Sequence, residues 1–127
     1  MTPQPMGGSQ ALPPPLIRLY HGTDLASANA IIINGLDVSA AAALNGTGDF
    51  WASSDRATAD WFAMANPANG TPARFEFDLP LPVLHALLSV VPIRAYLHGA
   101  GDYEFLPGAY PLLNQSMQNR QVISPVP

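Results

Sequence analysis

A carboxylate in apolar company is the first feature of this chain that invites a chemical reading. The segment Asp102-Tyr103-Glu104-Phe105-Leu106-Pro107-Gly108 alternates, so a strand there carries Asp102 and Glu104 on one face and Tyr103 and Phe105 on the other. The only other glutamate, Glu76, falls on the polar side of an amphipathic strand, where exposure to solvent accounts for it. Glu104 is either a rim carboxylate on an edge strand or a group set to stabilise developing positive charge. Tyr20-His21-Gly22-Thr23 sets a histidine at a strand end, then a glycine that lets a ligand approach the backbone, then a helix start. Free amides at that helix start suit a phosphate or pyrophosphate, and an ordinary capped strand-to-helix turn reads the same way. Gly46-Thr47-Gly48-Asp49-Phe50-Trp51-Ala52 precedes a helix with Thr58 and Trp61 on one face. An aromatic from the strand and one from the helix can sandwich a flat cationic ring, each contact contributing about 0.5 to 2 kcal/mol. The competing reading makes Phe50, Trp51, Trp61 and Phe62 core residues, which is expected of at least two of the four.

Other chemistries are poorly served. The chain has no cysteine, so disulfides and thiolate catalysis are excluded, and His21, His85 and His98 are too widely spaced for a zinc pattern. No metal is expected. Lysine is absent and the five arginines, Arg18, Arg56, Arg74, Arg94 and Arg120, are scattered through a chain of net charge −4, a poor footprint for nonspecific nucleic-acid binding. No stretch approaches the roughly 20 apolar residues of a membrane-spanning helix, and the N-terminus lacks a basic flank followed by an apolar run. The expected location is the cytoplasm, or a target cytoplasm into which an effector domain is delivered, with no membrane partner.

The elements that must hold these groups are legible in outline. With 127 residues, 48% hydrophobic and 11% charged, the chain has room for one domain around one core. Residues 1–15 are rich in proline and glycine and read as a disordered tail; the domain is expected over 16–119, with 120–127 a frayed C-terminal tail. Leu16 to Tyr20 reads as a strand ending at His21-Gly22. A helix follows, with Thr23 or Asp24 as N-cap and Gly35 as terminator. Ser39 to Leu44 suits a short helix, Asp49 to Ala52 a strand, and Asp55 to about Ala65 a helix capped by Ser53 or Ser54. Phe75 and Phe77 alternating with Arg74, Glu76 and Asp78 mark a strand from Ala73 to Leu79. Leu81 to Val90 reads as a helix, Ile93 to Leu97 and Asp102 to Leu106 as strands, and the pattern is lost from Gln115 onward. This irregular interleaving fits an α+β fold.

Taken in order, Tyr20-His21-Gly22-Thr23, then Gly46-x-Gly48-x-Phe50-Trp51-Ala52 with Thr58-Ala59-x-Trp61, then Tyr103-Glu104 resemble the His, Tyr and Glu motifs of the poly(ADP-ribose) polymerase and diphtheria-toxin branch of ADP-ribosyltransferases. The resemblance covers residues 17 to about 113 and is to a small, bacterial-type domain. It implies a split β-sandwich with short helices packed around it and NAD as co-substrate. It also implies that His21 bonds the adenosine ribose, that the Gly22 backbone holds the nicotinamide amide, and that Thr23 adjoins the cofactor. Phe50 would stand for the ring-stacking tyrosine, Thr58 for the amide-binding hydroxyl and Trp61 for the second stacking aromatic. Glu104 would be the catalytic carboxylate, bound to the nicotinamide-ribose hydroxyl, with Asp102 as an acceptor-orienting group. Phenylalanine at 50 lacks the tyrosine hydroxyl, and aspartate at 102 is one methylene shorter than the first carboxylate of arginine-modifying relatives.

The expected reaction is mono-ADP-ribosylation of an unknown acceptor, macromolecule, small molecule or water, by cleavage of the nicotinamide-ribose bond. A toxin or effector role, with an antitoxin or immunity protein as partner, is consistent with this. Breaking that bond builds positive charge on the ribose, which an ionised Glu104 would stabilise. Two other readings stay open: a noncatalytic NAD-binding or interaction module on the same fold, and an RNA 2′-phosphotransferase-like enzyme, which requires arginines converging on phosphates.

Overall fold

A computed structural model describes residues 12–37, 48–65, 70–89, 95–99 and 101–126. The expected helix over Ser39 to Leu44, the Gly46-Thr47 part of the turn, the start of the Ile93 strand and most of the N-terminal tail lie outside these residues.

The fold is α+β, as the interleaving implies. Six strands, β1 (Leu16–Asp24), β2 (Phe50–Ser53), β3 (Pro72–Pro80), β4 (Ala95–His98), β5 (Asp102–Phe105) and β6 (Gln118–Ile123), form one antiparallel sheet in the order β4-β5-β2-β1-β3-β6. Among the described residues four α-helices accompany them: α1 (Leu25–Asn34), α2 (Arg56–Met64), α3 (Leu81–Ser89) and α4 (Tyr110–Ser116). The sheet is strong in its halves and weak between them. Strands β1 and β3 pair along nine positions, from Leu16 opposite Pro80 to Asp24 opposite Pro72, and β2 pairs with β5 over its whole length. Between β1 and β2 a single pair, Tyr20 opposite Ser53, joins the two three-stranded halves.

Alternation sorts the side chains. Leu19, Phe75, Phe77, Phe105 and Leu79 are fully buried on one face, where α1, α3 and α4 contribute Ala28, Leu84, Leu87 and Leu113. The other face of β1 and β3 carries Arg18, Tyr20 and Gly22 opposite Asp78, Glu76 and Arg74. Glu76 differs from its expected solvated state: it is 9% exposed, and its two carboxylate oxygens accept from Arg18 (2.8 Å) and Arg74 (2.7 Å). Those guanidiniums hold its pKa below the ordinary value against the opposing effect of burial, the largest single influence on it. Arg74 reaches on to Asp60 of α2 at 2.6 Å, tying that helix to the sheet.

Helix caps match the sequence at α1, where the Asp24 side chain accepts from the Ser27 amide at 2.8 Å and Gly35, at φ 78°, closes the end. At α2 the N-cap position is Asp55 rather than Ser53 or Ser54; the Ser53 hydroxyl instead accepts from the Asp55 amide at 3.0 Å. The expected frayed tail from residue 120 is replaced by β6, paired with β3 as far as Ile123 opposite Arg74, and Val126 is buried beyond it. Gln118-Asn119-Arg120-Gln121 is exposed on an edge and joined through its backbone, so no hydrophobic period announces it.

Candidate functional site

A cavity of about 360 Å³ opens where β1 and β2 part beyond their single pair, with α2 closing its side. This volume falls in the range of small-molecule sites. Tyr20, His21 and Gly22 line it from β1, Trp51, Ala52 and Ser53 from β2, Thr58, Ala59 and Phe62 from α2, and Asp102 from β5. All three segments singled out in the sequence therefore contribute to one concave site. Thr23 belongs to β1, opposite Ala73, and is outside the lining.

His21 bridges the split. Its Nδ1 lies 2.5 Å from the Trp51 carbonyl oxygen, so Nδ1 carries the proton and donates, and Nε2 of the neutral ring is left as an acceptor. Burial pushes the His21 pKa below the ordinary imidazole value, keeping the ring neutral at neutral pH. The ring rests on Phe50, with centroids 4.4 Å apart.

Gly22 is required by packing. A Cβ at this position would sit 1.8 Å from the Ala59 carbonyl oxygen and 2.8 Å from the Ala63 amide nitrogen. Ala59 and Ala63, one turn apart and both buried, let the α2 backbone close directly on the strand. The helix contact therefore demands glycine, independently of any ligand.

The aromatic walls differ from those expected by one residue in each element. Phe50 is 4% exposed and belongs to the core, within 6.1 Å of Phe77 and 6.2 Å of Phe105, so it does not offer a face to a ligand. Trp51, its neighbour on the opposite strand face, is 45% exposed and lines the cavity. On α2, Phe62 lines the cavity while Trp61 points outward, edge-on to Phe62 at 5.1 Å. Thr58, four residues before Phe62, also lines the cavity, with its hydroxyl donating to Asp55 at 2.7 Å.

The two carboxylates of β5 share a face but differ in position. Asp102 lines the cavity and accepts from the Ser53 hydroxyl at 2.7 Å. Glu104 lies outside the lining, directly across from Trp51. His98 Nε2 donates to it at 3.0 Å. A hydrogen bond from the Asp49 carboxyl holds Glu104 below its ordinary pKa, with His98 acting in the same direction and partial burial opposing. The same bond, then burial, then the Glu104 charge push Asp49 up to about 6. Next to Asp49 in the chain, the Gly48 carbonyl accepts from the buried Tyr110 hydroxyl.

Sequence reasoning passed over Phe62 and Ser53 as lining residues and Asp49 and His98 as partners of Glu104. The i, i+4 spacing of Thr58 and Phe62 was the available signal for the first; the others depend on strand pairing. Among the described residues no group of three or more His, Asp or Glu side chains is placed to hold a metal ion. No helix among them is long and apolar enough to cross a membrane. No protein-family model, curated protein or solved structure matches the chain.

Proposed function

We propose that this chain is an NAD-dependent ADP-ribosyltransferase that takes the nicotinamide end of NAD into the cavity, on an ADP-ribosyltransferase-type split sheet. The observation that carries this is the convergence of His21, Trp51, Thr58, Phe62 and Asp102 on one cavity from segments far apart in sequence. Its lining fits the ligand: two aromatic side chains for a flat cationic ring, a threonine hydroxyl for an amide, and an imidazole acceptor for a sugar hydroxyl. Trp51 and Phe62 take the stacking roles that the resemblance gave to Phe50 and Trp61. Glu104 is outside the lining but directly across the strand pair from the lining residue Trp51, and this reading sets the sugar attached to the stacked ring beside it. There its anion stabilises positive charge on the ribose as the nicotinamide leaves, and Asp102 orients the acceptor. The acceptor loses a proton, gains ADP-ribose, and neutral nicotinamide is released.

The test pairs calorimetric titration of NAD with nicotinamide release followed by NMR. Glu104→Gln is expected to retain NAD binding and lose turnover by about a hundredfold or more, the cost of one preorganised electrostatic group. His21→Ala weakens binding. Normal release by Glu104→Gln refutes the assignment of the carboxylate. The second reading, a binding module without turnover, is favoured by Glu104 lying outside the lining; thermal stabilisation by NAD without release establishes it. The phosphotransferase reading is disfavoured because Arg18 and Arg74 are both committed to carboxylates. Labelled NAD incubated with a cell lysate and fractionated into protein and nucleic acid identifies the acceptor class.

A further inference from the structure

His98 sits on an edge strand, half exposed, at a place where core packing demands no particular side chain. Yet it makes two contacts on the cavity side of the sheet. Its Nε2 is 3.0 Å from Glu104 Oε1, and its ring lies 4.9 Å from the Trp51 indole, tilted by 33°. The register explains how one side chain reaches both. His98 is opposite Asp102 on β5, one step along the same face from Glu104, and Trp51 is opposite Glu104 from the other side. The tight return between β4 and β5 uses Gly99 at φ 56° and Gly101 at φ 115°, left-handed conformations that only glycine adopts readily.

We propose that His98 is a positioning residue that holds the Glu104 carboxylate through Nε2 and backs the Trp51 indole with its ring, so that one side chain sets both the sugar-facing charge and the stacking wall. This rests on the NAD reading above. Glu104 is hydrogen-bonded by both His98 and Asp49. A carboxylate held by charge-assisted hydrogen bonds is preorganised; released from one of them, it samples other rotamers and loses its aim at the sugar. His98 is not itself a lining residue and, on this assignment, does not touch the substrate, so it acts through its two neighbours.

Two substitutions separate the contacts. His98→Phe keeps a flat ring against Trp51 and removes the donor; His98→Gln keeps an N–H donor at similar reach and removes the ring. In nicotinamide-release kinetics, His98→Phe is expected to lower kcat by about 10- to 100-fold with KM for NAD held within about threefold. His98→Gln should restore most of kcat and raise KM. In a Glu104→Gln background, His98→Phe should cost nothing further. Carboxyl carbon NMR supplies a readout independent of turnover: the titration midpoint of Glu104 rises in His98→Phe and returns in His98→Gln. Equal loss of kcat in both variants, wild-type kcat in His98→Phe, or an unmoved Glu104 midpoint each overturns the proposal. Absence of release by the unsubstituted protein overturns the transferase reading, and this role with it, before any variant enters.

Discussion

Trp51 and Phe50 are adjacent in sequence and opposite in role, and substituting each with alanine separates ligand binding from stability. Phe50 is 4% exposed, packed against His21, Phe77 and Phe105. Its removal forfeits the transfer energy of a whole ring and leaves a cavity, a loss of about 3 to 5 kcal/mol. For a chain of 127 residues, between the smaller domains that lose roughly 4 to 8 °C per kcal/mol and the larger ones that lose about 2 to 4 °C, Phe50→Ala should melt roughly 10 °C or more below the parent. Trp51 is 45% exposed and its ring contact is with the half-exposed His98. Trp51→Ala should therefore shift Tm by only a few degrees. Its cost appears in the ligand: a stacking contact of about 0.5 to 2 kcal/mol, at about 1.4 kcal/mol per tenfold, weakens NAD binding by roughly 2- to 30-fold. Differential scanning calorimetry and calorimetric titration measure the two quantities on the same samples. If Trp51→Ala binds NAD as tightly as the parent, the indole is no wall of the site. If Phe50→Ala weakens binding at unchanged Tm, the two residues have been assigned the wrong way round.

Three further outcomes follow from the packing and the charges. Gly22→Ala forces a methyl into the α2 backbone, beyond the about 1 to 3 kcal/mol of ordinary overpacking, and should leave the chain unfolded or strongly destabilised by circular dichroism; native-like melting refutes the close helix-strand contact. Arg74→Ala strips Glu76 and Asp60 of their shared partner and should cost about 3 kcal/mol in urea denaturation, the lower end for a broken buried pair because Arg18 still holds Glu76. Asp49 has its pKa raised to about 6, so the folded state binds the extra proton and this stability is present at low pH and lost as pH rises toward 6. Asp49→Asn should accordingly gain Tm relative to the parent at pH 7.5 compared with pH 4.5; an equal difference at the two pH values refutes the shared proton.

The sequence by itself determined the local elements and which segments matter. Phe75 and Phe77 alternating with charged residues specify β3, and Asp24 with Gly35 bounds α1, because period and capping are written in neighbouring residues. The three segments around His21, Phe50 to Trp61, and Asp102 to Glu104 are likewise short and local. Only the tertiary structure decided which side chain of each segment faces the cavity. Alternation says that Phe50 and Trp51 point to opposite faces, and pairing of β2 with β5 and of Tyr20 with Ser53 chooses Trp51 for the cavity. Likewise, Glu76 reads as solvated until α2 brings Asp60 to Arg74 and β1 brings Arg18, and Gln118 to Ile123 reads as frayed until β3 offers it an edge. Asp49 and His98 become partners of Glu104 through strand pairing and the return from β4 to β5. Local periodicity records which side chains share a face, and only the pairing of distant strands and the docking of helices set whether that face is covered and by what.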